Sequence, residues 1–227
     1  MARKSRRVVT SDDIYNDLLG KIINLEYKPG EGISENELCE KYGTTRHNVR
    51  RALAVLKEKR LIEVFPQRGT YVSLIDLKYV DDVLFLRGAV EQEAIHAIFK
   101  RDDNSDLIKK LTESVEKQEK LADPEKNPAA FYDLDIEFHN ILLSAVEREK
   151  VKLIFADAYL HVRRWRNMEV EALKRIENLP VEHRKIIKAI EENNEYNARI
   201  QVSRHMNSVG QFGEELKKQY PQYFKEG

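Results

Sequence analysis

The chain has 227 residues, with 39 Lys and Arg against 39 Asp and Glu, so its formal net charge is zero. Hydrophobic residues make up 41% of it, enough to bury a core, whereas 34% are charged, which is too many for a membrane protein. A single cysteine, Cys39, excludes an intramolecular disulfide and a cysteine-based zinc site. Because the basic start is not followed by the apolar stretch of a secretory signal, we expect a cytoplasmic protein without membrane contact.

The charge is unevenly distributed along the chain. Residues 1–75 contain 14 Lys and Arg against 10 Asp and Glu, a net charge of +4, and the remaining residues carry −4. A basic N-terminal part fits contact with nucleic acid at one end of the molecule, although a difference of this size also arises by chance. Charge alone therefore assigns no function.

The first predicted element is a helix that follows a basic arm over residues 1–10. Apolar residues recur at three- and four-residue spacing at Ile14, Leu18, Ile22 and Leu25. This spacing predicts a helix over about 12–25. Pro29-Gly30 then breaks the chain.

Two further helices are predicted before any strand. A short helix begins after Ser34, a good N-cap residue, and stops at Gly43, where a left-handed residue would end it. The third helix begins after Thr44 or Thr45 and continues to about Lys59.

Two strand-like runs, Leu61–Phe65 and Thr70–Leu74, flank the turn residues Pro66-Gln67-Arg68-Gly69 and predict a β-hairpin. Three helices followed by a hairpin, in this order, are typical of a winged helix-turn-helix. We therefore predict such a domain over residues 1–76.

Beyond residue 76 the pattern is helical, without a further convincing strand. Helical patterns occupy roughly 77–101, 104–122, 128–147, 149–177, 181–193 and 195–218, with breaks at Asp123-Pro124 and Leu179-Pro180. The predicted fold is thus mainly α: a winged helix-turn-helix followed, over residues 77–227, by an all-α bundle of about six helices.

The third helix has the composition of a DNA recognition helix. It opens with Thr45-Arg46-His47-Asn48-Val49-Arg50-Arg51, in which Arg46 and Arg50 lie four residues apart on one face. Arginine can donate two hydrogen bonds to guanine, whereas Thr45 and the helix N-terminus suit phosphates. Arg68 at the hairpin tip could enter a minor groove or contact phosphate. Each arginine alone is more simply a solvated residue, but the ordered set favours DNA binding.

This part of the chain resembles the GntR family of transcription regulators. The motifs that carry the resemblance are Pro29-Gly30, Ser34-Glu35-Asn36-Glu37-Leu38, Tyr42-Gly43-Thr44-Thr45-Arg46, Val49-Arg50-Arg51-Ala52-Leu53, Leu61-Ile62 and Arg68-Gly69. The resemblance implies that Arg46 and Arg50 contact operator DNA and that Gly69 lets the wing approach the backbone. The full expected set is Thr45, Arg46, Asn48, Arg50, Arg51, Arg68 and Gly69. The family usually has Glu at the position of Arg51, which leaves the base preference open.

Four residues of the helical part suit a metal ion: Asp135, His139, His183 and His205. Asp135 and His139 lie four residues apart and share a helix face, and three imidazoles with one carboxylate suit a divalent transition metal. Each signal is weak by itself, since an isolated Asp-x-x-x-His is more often a salt bridge. Sequence spacing does not select the four residues together.

The helical part resembles the FCD effector domain of the FadR subfamily of GntR regulators. The matching segments are Leu86–Glu91, Asp135–His139, Glu182–Ile190, Ala198 and Arg204-His205-Met206. The resemblance implies that Asp135, His139, His183 and His205 hold zinc, nickel or manganese, zinc being the first expectation. It also implies a homodimer, and a small organic acid that completes the coordination of the metal.

Two arginines are candidates for binding that effector. Arg87 could pair with a carboxylate of the effector or, equally, with Glu91 four residues along its own helix. Arg164 could face the pocket, although a solvated or interface position is the simpler interpretation.

The predicted function is a ligand-responsive transcription regulator, a dimer on palindromic double-stranded operator DNA and a repressor released by a small carboxylate. One alternative is a metal-dependent hydrolase-like enzyme in which the His₃Asp site activates water. An enzyme would not need residues 44–72, and no spare general base is evident beside the ligands. Another alternative is an architectural DNA-binding protein that has lost its effector.

Overall fold

The computed structural model describes residues 9–121, 127–173, 178–210 and 212–226. It divides into two compact units, one that ends at Ile75 but also includes Gln222–Glu226, and one from Asp76 to Pro221. Within the described residues, no helix is long and apolar enough to cross a membrane. Most of the basic arm predicted over residues 1–10 lies outside the described residues, as does the break predicted at Asp123-Pro124.

Three capped helices form the body of the first unit. Thr10 caps the first helix in a reciprocal arrangement with Asp13, and Ser34 and Thr45 cap the second and third by accepting from backbone N–H groups. Gly43 ends the second helix with φ 57°, a left-handed conformation that favours glycine. The helices are α1 (Ser11–Ile23), α2 (Glu35–Tyr42) and α3 (Arg46–Glu58).

The core of this unit lies between α1 and α3. The predicted apolar spacing of α1 is confirmed, because its inward side chains are buried against those of α3. Each fully buried aliphatic side chain contributes roughly 1.5–3 kcal/mol relative to an exposed one. The buried set is Ile14, Leu18, Ile22, Val49, Leu53 and Leu56.

A three-stranded antiparallel sheet completes the wing. Strands β2 (Ile62–Phe65) and β3 (Gly69–Val72) form the predicted hairpin, with Glu63 opposite Tyr71. Strand β1 (Gly32–Ile33) pairs with the other edge of β3, giving the order β1-β3-β2. Sequence patterns missed β1 because two residues are too short to show alternation.

The end of the chain belongs to the first unit. Ile75 and Phe224 form a parallel bridge, in which Ile75 N donates to Tyr223 O (2.8 Å) and Lys225 N donates to Ile75 O (2.9 Å). Phe224 is only 2% exposed. Residues 222–226 therefore pack with the first unit, whereas the sequence predicted them as part of the domain over 77–227. Burial of Phe224 beside Ile75 is a long-range contact that local patterns do not reveal.

The second unit is all-α, as predicted. Its helices are α4 (Leu77–Ile98), α5 (Ser105–Leu121), α6 (Pro128–Ser144), α7 (Val151–Leu173), α8 (Asn178–Glu191), α9 (Glu195–Gly210) and α10 (Gly213–Gln219). The described part thus contains seven helices instead of about six, because the single helix predicted over 195–218 is two. Helix α9 ends at Gly210 and α10 begins at Gly213, and glycine is the poorest helix former after proline. The break predicted at Leu179-Pro180 is wrong, because both residues lie in the first turn of α8, where the missing N–H of Pro180 costs nothing.

An apolar core joins α4, α5, α6, α8 and α9, and it fixes the positions of the polar groups on their inward faces. Helix α7 is buried on nearly all sides from Val162 to Val170, where Arg163 alone is not fully buried. Buried members of the core include Ile95, Leu111, Val115, Phe138, Leu142, Ile186 and Val202.

Candidate functional sites

The turn between α2 and α3 presents the start of α3 to solvent. Thr45 Oγ1 accepts from the backbone N–H of Asn48 (3.5 Å), and the Asn48 side chain donates to Thr44 Oγ1 (3.1 Å). Asn48 is therefore partly occupied in closing the turn, which sequence reasoning did not foresee. Val49 faces the core, so the opposite face of α3 is directed outward.

The other predicted DNA-binding residues are exposed: Thr45, Arg46, Arg50, Arg51, Arg68 and Gly69. Arg46 Nη2 donates to Asn36 Oδ1 at 3.0 Å, and Arg50 Nε donates to both carboxylate oxygens of Glu35 at 3.2 and 2.9 Å. Sequence reasoning missed these two acceptors, which lie in the first turn of α2.

The wing tip is held by Tyr71. Its hydroxyl donates to the carbonyl of Arg68 (2.8 Å), and its ring meets Phe65 edge-on. Gly69 has φ 116°, a conformation that other residues rarely adopt, and a Cβ there would contact the Tyr71 ring at 3.5 Å. Glycine thus permits the tight turn that exposes Arg68.

The second unit brings together the four predicted metal ligands. Asp135 and His139 lie on α6, His183 on α8 and His205 on α9, all buried, with one ligand atom of each within 4.8 Å of the others. His205 Nε2 lies 3.1 Å from His139 Nε2 and 3.4 Å from His183 Nε2. Asp135 Oδ1 lies 3.5 Å from His183 Nε2 and 3.7 Å from His139 Nε2. Adjacent ligands about 2.1 Å from one ion lie about 3.0–3.4 Å apart. The two distances between imidazoles fall in this range, and those to Asp135 are slightly longer, so the cluster is close to the spacing of a metal centre.

Each imidazole is oriented by an oxygen on its far side. His139 Nδ1 lies 2.7 Å from Glu91 Oε2, His183 Nδ1 lies 2.7 Å from Gln118 Oε1, and His205 Nδ1 lies 2.8 Å from Glu182 Oε2. Because these oxygens accept hydrogen bonds, they favour the tautomer with the proton on Nδ1. Three Nε2 lone pairs then converge on one point beside a carboxylate, and a cation would relieve the resulting repulsion.

The surroundings of Asp135, His183 and His205 favour the protonation states that a metal requires. Burial lowers the pKa of His183 well below its usual value, and the neighbouring His205 lowers it further. Burial also lowers the pKa of His205. Burial raises the pKa of Asp135, but Arg166 and the imidazoles outweigh it and hold the carboxyl well below its usual value. Neutral imidazoles and an ionised carboxylate are the species that bind transition metals.

The remaining histidines lie apart from this cluster. His96 pairs with Glu195 at 2.7 Å, His161 packs edge-on against Tyr79, and His47 is exposed on α3. His183, by contrast, is stacked on Phe138 with ring centroids 3.9 Å apart. Packing as well as hydrogen bonding therefore fixes the ring plane of His183.

Arg166, which sequence reasoning missed, is the guanidinium beside the cluster. Its Nη2 lies 3.6 Å from Asp135 Oδ1, and within the described residues neither atom has a hydrogen-bond partner. Arg166 is buried and lies over the ring of Tyr132. Nothing in the sequence distinguishes it from its neighbours, because α7 is buried on nearly all sides here.

The two predicted effector arginines are placed differently. Arg87 Nε donates to Glu91 at 2.6 Å, so the intrahelical pairing is formed, and its guanidinium covers the Tyr159 ring. Through Glu91 it is linked to His139, and the interactions of Glu91 with His139 and Arg87 outweigh burial to hold the pKa of Glu91 at about 2. Arg164 is fully buried, which contradicts a solvated position, and burial lowers its pKa to about 10.

Comparison with known proteins identifies a family for each of the two units. Residues 10–72 match the bacterial regulatory proteins of the gntR family, and residues 82–208 match the FCD domain. The chain is 31% identical over 213 residues to an HTH-type transcriptional regulator encoded in an unstable DNA locus of Streptomyces ambofaciens, covering 93% of this chain and 88% of that protein. It is 24% identical over 216 residues to the HTH-type transcriptional repressor RspR of Escherichia coli K12, covering 95% and 94%.

Solved structures show the same fold. A GntR transcriptional regulator of Rhodococcus sp. RHA1 has a TM-score of 0.67 at 18% identity, covering 88% of this chain and 95% of its own. Escherichia coli McbR/YncC has a TM-score of 0.66 at 18% identity, covering 94% and 99%.

The winged helix-turn-helix and the helical domain together define a DNA-binding transcription regulator. The chain belongs to the GntR family and carries an FCD domain, as its motifs predicted. Its relatives are regulators, so the enzyme alternative is not supported. Glu137 gives that alternative no general base, since it is exposed and pairs with Lys117. The FCD domain and the buried His₃Asp group are compatible with a divalent metal site.

Proposed function

We propose that the first unit binds palindromic operator DNA through Thr45, Arg46, Asn48, Arg50, Arg51, Arg68 and Gly69. The supporting observation is the outward face of α3, which presents Arg46 and Arg50 from a helix whose other face is buried. Selection of bound duplexes from a random library should recover two inverted half-sites about one or more helical turns apart. Recovery of sequences without symmetry would contradict this proposal.

The proposed metal ligands are Asp135, His139, His183 and His205. They would bind one divalent transition metal, zinc first and otherwise nickel or manganese. The observation that carries it is the convergence of three Nε2 atoms and Asp135 Oδ1 on one buried point. Four protein ligands leave positions for a small organic acid in a six-coordinate metal. Arg166 lies beside Asp135, where it would pair with a carboxylate of that acid. Arg87 and Arg164 are further residues proposed to contribute to binding of the acid.

The proposed effector is tested by thermal stability. Small carboxylates that ligate metals should raise the melting temperature of the metal-loaded protein and not of the protein treated with chelator, because a ligand that binds only the native state stabilises it. Lack of response in the metal-loaded protein would contradict an acid effector and would favour the architectural alternative.

Repression released by the effector is the proposed mode of regulation. One relative, RspR, is a transcriptional repressor. To release DNA, the effector must bind the DNA-competent and DNA-incompetent states with different affinities. The acid that stabilises the protein should therefore weaken operator binding; stronger binding would indicate activation.

A homodimer would place two recognition helices on a palindrome. In support, large apolar side chains of the second unit face solvent: Phe85 is 78% exposed on α4, and Leu153 and Ile154 are 68% and 79% exposed on α7. Sedimentation should show a dimer that Ile154→Glu weakens. A monomer at micromolar concentration would contradict the proposal.

A further inference from the structure

The two arginines at the start of α3 are held by the first two residues of α2. Arg50 donates through Nε to both oxygens of Glu35, and Arg46 donates through Nη2 to Asn36 Oδ1. The side chains are accessible: that of Arg50 is 65% exposed and that of Glu35 is 33% exposed. One helix thus supplies the donors and the other supplies their acceptors.

This pairing contributes little to folding, because exposed ion pairs are typically worth about 0–1 kcal/mol. Its consequence is geometric. A free arginine side chain samples many rotamers and loses this freedom when it binds. Because the hydrogen bonds from Arg50 to Glu35 are made by Nε, the two terminal Nη groups keep their donors for a base edge.

The carboxylate has a second, electrostatic effect. Binding to DNA of any sequence depends mainly on positive charge near phosphates. A negative charge beside Arg50 weakens that sequence-independent attraction, whereas a correctly placed base still receives the full set of hydrogen bonds. Glu35 therefore acts in opposite directions on specific and non-specific binding.

We infer that Glu35 is a positioning and specificity-determining residue of the DNA-reading surface, and that Asn36 positions Arg46 in the same way without adding charge. The inference rests on the proposed function, in which Arg46 and Arg50 contact DNA. Glu35 orients Arg50 for the operator and disfavours other sequences.

The test compares Glu35→Gln with Glu40→Gln, which removes the same charge from an exposed position on the same helix. The probes are a duplex recovered by selection from a random library and a scrambled duplex of equal composition. Their dissociation constants are measured by fluorescence anisotropy over a range of salt concentrations. Glu35→Gln should lower the ratio of specific to non-specific affinity about tenfold, whereas Glu40→Gln should change both affinities alike.

A ratio that falls equally in both variants would overturn the inference and leave the DNA-contact proposal intact. In the Arg50→Ala background, Glu35→Gln should lower the ratio no further, and an undiminished effect there would also overturn it. If Arg50→Ala alone leaves specific binding unchanged, the proposed contact itself fails. Equal melting temperatures of the variants establish that each is folded.

Discussion

The two units of this regulator use polar side chains in opposite ways. In the first unit, the groups proposed to read DNA lie on the outside of α3 and the wing, where water solvates them. In the second, Asp135 and three histidines are buried among packed helices. The Nδ1 atoms of the histidines are hydrogen-bonded to Glu91, Gln118 and Glu182. Substitutions in the first set should change binding with little effect on folding, whereas those in the second should affect both.

The contrast has a physical origin. An exposed arginine exchanges water for a base or phosphate when it binds. A buried imidazole has no water to exchange and must be hydrogen-bonded on one side and coordinated or protonated on the other. The buried centre can therefore be pre-organised more strictly than the exposed surface.

The largest expected effect concerns stability of the first unit. Phe224→Ala removes a buried aromatic ring and should reduce the free energy of unfolding by about 3–5 kcal/mol. Urea unfolding and hydrogen exchange of residues 61–75 would measure this loss. Gln222→Ala, at an exposed neighbouring position, is the control. Equal stability of both variants would mean that the first unit does not depend on the end of the chain.

The next effect concerns DNA binding without a change in folding. Arg46→Ala combined with Arg50→Ala should weaken binding of the selected duplex by about 100-fold or more, since each bidentate contact is worth about 1–3 kcal/mol. Metal content and melting temperature should not change. The control, Lys57→Ala with Arg60→Ala, removes equal charge from the last turn of α3 and the residues just after it. If the control weakens binding equally, general charge and not the start of α3 accounts for affinity.

A smaller effect is expected from the partner of His183. Gln118→Leu removes the oxygen 2.7 Å from His183 Nδ1 while keeping similar volume. Loss of such an acceptor typically lowers metal affinity about 10- to 100-fold, and we expect the lower value because Phe138 still stacks on the ring. Competition with a zinc chelator measures it, with Gln201→Leu on α9 as the control. Unchanged affinity would show that stacking alone orients the imidazole.

The same contrast explains what sequence could predict. The helices and hairpin of the first unit follow from local signals, such as the caps Ser34 and Thr45 and the left-handed Gly43. The metal cluster needed the family resemblance, since spacing connects only Asp135 with His139. Arg166 and the docking of Phe224 depend on contacts between distant parts of the chain, so no local pattern revealed them.

The contacts of Arg50 with Glu35 and of Arg46 with Asn36 were missed for a related reason. Both acceptors lie in the motif Ser34–Leu38, which indicated the start of α2 and the family but not a contact with the arginines. Spacing within a helix predicts which residues share a face, but not which residue of a neighbouring helix will meet them.

Metal binding by the buried cluster is tested most directly by the elemental content of the purified protein. Protein isolated without a chelator should contain about one divalent transition metal per chain. His183→Ala should lose it, whereas His96→Ala, which removes a histidine paired with Glu195 outside the cluster, should retain it. Absence of metal after incubation with zinc, nickel and manganese would contradict the metal site, and the buried cluster beside Arg166 would then have to bind a ligand without a metal.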